Sequence, residues 1–128
     1  MAKEYLKCFA CGADNKIGLK LKFTYNDEVA ESIFSLNSDY CGYPNIIHGG
    51  IVATILDEAM AKVIINTGIE AVTHDMNVIY KKSLHPNTKY KVIAEILEVK
   101  RRIIKSKATI SDMDGNLIAS AEARYFKV

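Results

Sequence analysis

The chain has 128 residues, of which 49% are hydrophobic and 25% charged, enough for one globular domain with its own core. Its 17 basic and 15 acidic residues leave a formal net charge of +2, too balanced to require nucleic acid as a partner. No apolar run approaches the roughly 20 residues of a membrane span, because Asp57, Glu58 and Lys62 interrupt the longest one.

The opening MAKEYLKCFACG lacks the charged-then-apolar plan of a signal peptide, so the cytosol is the expected compartment and the cysteines are expected to be reduced. Residues 1–16 read as an N-terminal extension of a single domain spanning 1–128. Cys8 and Cys11 have the CxxC spacing of a zinc half-site or a redox pair, but only Cys41 remains as a further thiol, and structural zinc usually takes four ligands. The cysteines therefore read as small apolar fillers, with no metal and no cofactor expected.

LKLKFTY (19–25) alternates apolar and polar residues, and VAESIFSL (29–36) follows the turn-like Asn26-Asp27-Glu28; together they predict a two-stranded hairpin. Residues 37–47, with Gly42 and Pro44, read as a loop. A helix follows from Gly50 to about Asn66, with Gly68 as its C-terminal cap. Four strands come next, at 73–82, 90–99, 102–111 and 117–126, separated by His85-Pro86-Asn87, Lys100-Arg101 and the turn-forming 112–116. Leu117, Ala119, Ala121 and Ala123 put mostly small side chains on one strand face, where a helix can approach closely. A helix apolar on most of its circumference must be wrapped on most sides. The expected architecture is α+β, a curved antiparallel sheet of about six strands around a central helix.

Within that helix, Thr54, Glu58 and Lys62 form one polar stripe, and the order of Glu58 and Lys62 favours an ion pair worth a few tenths of a kcal/mol. Asp57 has no such explanation, because its neighbours on the helix face are Ala53, Met60 and Ala61. A carboxylate on an apolar wall calls for a dedicated partner, and such placements recur at reactive sites; an interface or capping role is the plainer alternative. At the helix start, Gly49 and Gly50 allow close backbone approach, and the unpaired N–H groups of a first turn can hold a carbonyl oxygen that becomes negative during attack. Two glycines before a helix can equally be a simple turn. Seven residues from Gly50 to Asp57 correspond to about 10 Å of helix, too far for one chain to complete such a site alone. Two antiparallel helices across a two-fold axis would bring each Asp57 beside the other chain's glycine turn.

HGGIVATILDEA, with Asp57 nine positions after His48, VTHDMNVIYKKS (72–83) and the N-terminal CFACGADNKIGLKLKF resemble the PaaI-type acyl-CoA thioesterases of the hot-dog fold. The resemblance implies a dimer or dimer of dimers, and thioester hydrolysis without metal or cofactor. It assigns Asp57 as general base on water, or as nucleophile through a transient anhydride. Gly49 matches the residue whose backbone N–H polarises the thioester carbonyl, with His48 in the same turn, and Thr73 the position of a water-placing serine. Where several members carry asparagine six residues before the histidine, this chain has Gly42; Asn45 is a candidate to fill that place.

His48 holds the turn or transfers a proton directly. Gly50, Asn45 and Asn77 are candidates for substrate contact, although Asn77 also reads as an ordinary strand residue, and His74 and Asp75 as partners of nearby basic side chains. Lys100, Arg101 and Arg102, with Lys105, Lys107, Lys81 and Lys82, either guard sheet edges against pairing or receive the phosphates of coenzyme A. The function expected is hydrolysis of an acyl-CoA, with the acyl group in an apolar tunnel between subunits, no nucleic acid and no membrane. The rivals are a non-catalytic acyl-CoA-binding module and a hot-dog hydratase or dehydratase.

Overall fold

The computed structural model describes residues 5–26 and 28–128; residues 1–4 of the N-terminal extension and Asp27 of the first turn lie outside them. The described residues form strands β1 (Thr24–Asn26), β2 (Val29–Phe34), β3 (Cys41–Tyr43) and β4 (Ile46–Ile47). Helix α1 (Gly49–Ile65) follows, then β5 (Ala71–Tyr80), β6 (Tyr90–Lys100), β7 (Ile103–Asp112) and β8 (Leu117–Lys127). Six of these strands make one antiparallel sheet in the order β1-β2-β6-β7-β8-β5, and β3 pairs with β4 in a small hairpin. The helix packs on β2, β5, β6, β7 and β8, so the sheet wraps it as the all-round apolar sequence requires.

The core follows from the alternation of the strands. Ile55, Leu56, Ala59, Met60, Val63 and Ile64 of α1 are buried, and Ala119, Ala121 and Ala123 of β8 are buried on one face of the sheet. Small side chains on that face let the helix backbone approach, and Tyr125 continues the same period-two row. The helix ends at Asn66, and Gly68 follows with a φ of +89°, the left-handed conformation expected of a C-terminal glycine.

Two elements differ from expectation. The first strand is only three residues long: Lys20 has a φ of +53°, and the N–H groups of Leu19 and Leu21 bond to the carbonyls of Phe9 and Ala10. Residues 19–21 thus lie along the N-terminal segment and bury Leu19 and Leu21 in the core. The segment 37–47 is not a plain loop but holds a turn of 3-10 helix, Ser38–Tyr40, and the β3–β4 hairpin, with Asn45 at a φ of +63° in its turn. No helix of the described residues is long and apolar enough to cross a membrane.

Candidate active site

Asp57 is half-buried on α1, and two hydroxyls converge on one of its oxygens. Tyr125 donates to Oδ1 at 2.7 Å and Thr73 donates to the same atom at 2.9 Å. The Tyr125 hydroxyl also lies 3.0 Å from the Asp57 carbonyl oxygen, so the phenol grips side chain and backbone together. With Oδ1 doubly engaged, Oδ2 is the oxygen left to act on another molecule.

The sheet brings these hydroxyls together through its register. Thr73 on β5 lies opposite Tyr125 on β8, and the register shifts between Thr73 and Asp75. Such a bulge re-aims the residues beside it. Here it leaves Thr73 facing the helix, while His74 stacks on Phe126 with ring centroids 4.1 Å apart. Asp75 pairs with Arg124 instead, and this guanidinium holds its carboxyl below the ordinary range. Burial, and then the Asp57 carboxylate beside it, push the Tyr125 phenol well above its ordinary range. The phenol consequently remains a hydrogen-bond donor throughout the neutral range.

Tyr125 was not among the candidates named from sequence. Its signal was present in the alternation Ala119, Ala121, Ala123, Tyr125, which places it on the helix-facing side of β8. Its contact with Asp57 depended on how the helix crosses that face. Replacing Tyr125 with Phe leaves the packing but removes a hydrogen bond to a carboxylate, a loss of about 1.5–3 kcal/mol. A lower Tm and a larger fall in kcat than in KM are the expected result for Tyr125→Phe; equal loss in Tm with unchanged kcat would limit the phenol to stability.

The helix start holds the other group of candidate residues. His48 is the N-cap residue: its Nδ1 accepts from Gly50 N–H at 2.9 Å, and its carbonyl accepts from Ile51 and Val52. Gly50 N–H is therefore committed to the cap, whereas Gly49 N–H has no partner among the described residues. Tyr80 donates to the Gly49 carbonyl at 2.7 Å, tying the turn to the end of β5. The His48 ring fits between two glycines. A Cβ on Gly42 would come within 3.1 Å of His48 Cδ2, and one on Gly50 within 3.1 Å of Nδ1. A side chain at position 42 would therefore press on the imidazole, which would have to give by a few tenths of an ångström.

A cleft of about 470 Å³ opens beside this turn, lined by Gly42, His48, Gly49, Tyr80, Lys81 and Lys82 among others. Asn45 stands at its hairpin turn, where its carbonyl accepts from the His85 Nδ1–H at 2.8 Å. Within one chain the cleft and Asp57 remain apart, held at opposite ends of β5 by Tyr80 and Thr73. Asn77 is elsewhere: it pairs across from the exposed Glu122, on the sheet face turned away from the helix. Lys100, Arg101 and Arg102 are exposed in the β6–β7 turn, where Arg101 has a φ of +58°. The register Ile104–Tyr125–Thr73 puts that turn at the Asp57 end of the sheet. The expected Glu58–Lys62 ion pair is not formed; the salt bridges among the described residues are Lys91–Glu31, Lys107–Glu95 and Arg124–Asp75. Glu58 turns to Cys8 instead, accepting from its thiol at 3.7 Å.

Comparisons with known proteins agree with this architecture. The mouse (Mus musculus) acyl-coenzyme A thioesterase THEM4 is 26% identical over 130 residues, covering 99% of this chain and 54% of its own length. The chain thus spans about half of that relative. The solved structure of RHA08564, a thioesterase superfamily protein, superposes with a TM-score of 0.89 at 20% identity, over 94% of this chain and 60% of that one. A hypothetical thioesterase from Streptococcus pneumoniae TIGR4, solved with coenzyme A, superposes with a TM-score of 0.80 at 18% identity, over 84% of this chain and 85% of that one. The family model for the thioesterase superfamily matches residues 44–119, more than half of the chain and the stretch that carries both His48-Gly49-Gly50 and Asp57. By that match and by its sheet-wrapped helix, the chain belongs to the thioesterase superfamily and has the hot-dog fold.

Proposed function

We propose that the chain hydrolyses an acyl-CoA to the free acid and CoA, at a site completed by a second copy of itself. The observation that carries this reading is the Asp57 carboxylate, fixed by two hydroxyls at Oδ1 with Oδ2 left over. Asp57 takes a proton from water, and the water oxygen attacks the thioester carbonyl. The Gly49 N–H of the other subunit meets the carbonyl oxygen as it becomes negative. The C–S bond then breaks, and the CoA sulfur leaves with the proton returned to it. This role suits an unpaired amide at a helix N-terminus, where the helix dipole adds to the hydrogen bond. Membership of the superfamily and the similarity to an acyl-coenzyme A thioesterase support hydrolysis over mere binding.

Two observations support the shared site. β5 ends the strand order, so one of its edges is unpaired, and it exposes Val72, Ile79 and Tyr80. An exposed edge with apolar side chains is a ready surface for a second copy. Antiparallel pairing there places the Gly49 end of one β5 beside the Asp57 end of the other. The basic turn of Lys100, Arg101 and Arg102 then lies near the same composite site and offers charge to the phosphates of coenzyme A, the ligand of the pneumococcal structure.

The test is a panel of acyl-CoAs followed by release of free thiol. Turnover of at least one member is expected, and tight acyl-CoA binding without thiol release would favour the non-catalytic module. Neutralising Lys100, Arg101 and Arg102 together is expected to raise KM several-fold and to flatten its dependence on salt. An unchanged KM at all ionic strengths would place the phosphates elsewhere, with Lys81 and Lys82 the next candidates.

A further inference from the structure

The N-terminal segment meets α1 at Glu58, the residue that follows Asp57 on the helix. Cys8, Cys11 and Glu58 come together there, their two thiol sulfurs and one carboxylate oxygen all within 4.8 Å of one another. From these three side chains we infer a binding site for a thiophilic divalent metal ion such as zinc, which fastens the N-terminal segment to the helix. Sequence spacing offered only the CxxC half of such a site; the fold supplies Glu58 from 47 residues beyond Cys11.

The geometry and the charges fit an ion. Metal–sulfur and metal–oxygen bonds of about 2.3 and 2.1 Å at a tetrahedral angle put sulfur and oxygen about 3.6 Å apart, and Cys8 Sγ lies 3.7 Å from Glu58 Oε2. The turn that aims both sulfurs is tight. Gly12 N–H donates to the Cys8 carbonyl at 2.8 Å, and a Cβ on Gly12 would meet the Cys8 nitrogen at 2.4 Å, so the CxxCG turn requires its glycine. A coordinated divalent cation deprotonates its thiol ligands outright. Two thiolates and a carboxylate carry three negative charges; the ion meets two of them and the Lys62 ammonium the third. The adjoining cleft of about 730 Å³, lined by Cys8, Cys11, Lys22, Glu58 and Lys62 among others, provides the entry path and room for a water as fourth ligand. The thioester chemistry makes no use of the ion, whose role is structural.

The test treats the full chain with a chelator, reduces it with a phosphine, and titrates it with Co²⁺. One equivalent per chain with a thiolate-to-cobalt charge-transfer band is expected, displaced by Zn²⁺ and retained in Cys41→Ser. The band should vanish in the Cys8→Ser, Cys11→Ser double variant, and Glu58→Gln should weaken Zn²⁺ binding by at least about tenfold. Absence of the band in the unaltered chain overturns the site, whatever the variants do to folding. A band that survives in the double variant, or Zn²⁺ affinity unchanged in Glu58→Gln, overturns it as well.

Discussion

Asp57→Asn is expected to lower kcat for acyl-CoA hydrolysis by roughly 10²–10⁴-fold, the contribution of a positioned general base. The substitution is nearly isosteric, and the amide oxygen of asparagine can still accept from Tyr125 and Thr73, which hold the native Oδ1 at 2.7 and 2.9 Å. Fold and oligomeric state should therefore survive, while the group that takes the proton of water is gone. The measurement is steady-state thiol release beside a melting curve for the same preparation. Unchanged turnover in a clean preparation would reject Asp57 as the base, and loss of turnover with collapse of the melting transition would mark it as structural.

The second large effect is expected from mixing two inactive chains. Gly49→Pro deletes the backbone N–H at the first helical position, where proline is well tolerated. His48 has a ψ of 133°, within the range favoured before a proline. A Cβ at position 49 would meet nothing nearer than the Tyr80 ring at 3.6 Å. Loss of that donor should lower kcat by about 10²–10³-fold. If Asp57 of one chain serves the glycine turn of the other, a heterodimer of Asp57→Asn and Gly49→Pro has one site with both defects and one intact. Random exchange at equal amounts then restores about a quarter of the unaltered activity per chain. A site contained within one chain predicts no recovery, because each chain of the mixture carries its own defect. The experiment thus reads the sharing of the site separately from the chemistry of Asp57.

Why the two halves of the site differ in legibility is a matter of range. The helix turn is local: His48, Gly49 and Gly50 are consecutive, and the cap that commits Gly50 N–H and spares that of Gly49 is made within three residues. Asp57 is legible because none of Ala53, Thr54, Met60 and Ala61, its neighbours on the helix face, carries a charge to pair with it. Its partners, Thr73 and Tyr125, lie 16 and 68 residues away, and a β-bulge at His74 decides which way Thr73 faces. Glu58 illustrates the opposite case, where local spacing proposed an ion pair with Lys62 and a distant segment took the carboxylate instead.

By itself, the sequence determined the order of the central helix and the main-sheet strands, the C-terminal glycine of that helix, the small-residue face of β8 and the two motifs of the candidate site, but not the β3–β4 hairpin. Each depends on periodicity or on contacts a few residues apart, which side-chain chemistry dictates directly. Only the tertiary structure decided that residues 19–21 serve the N-terminal segment rather than a strand. It also decided that Tyr125 grips Asp57, that Asn77 faces away from it, and that Cys8, Cys11 and Glu58 meet. Those outcomes depend on strand register and on how the sheet curves around the helix, quantities set by the packing of the whole core and written in no single stretch of chain.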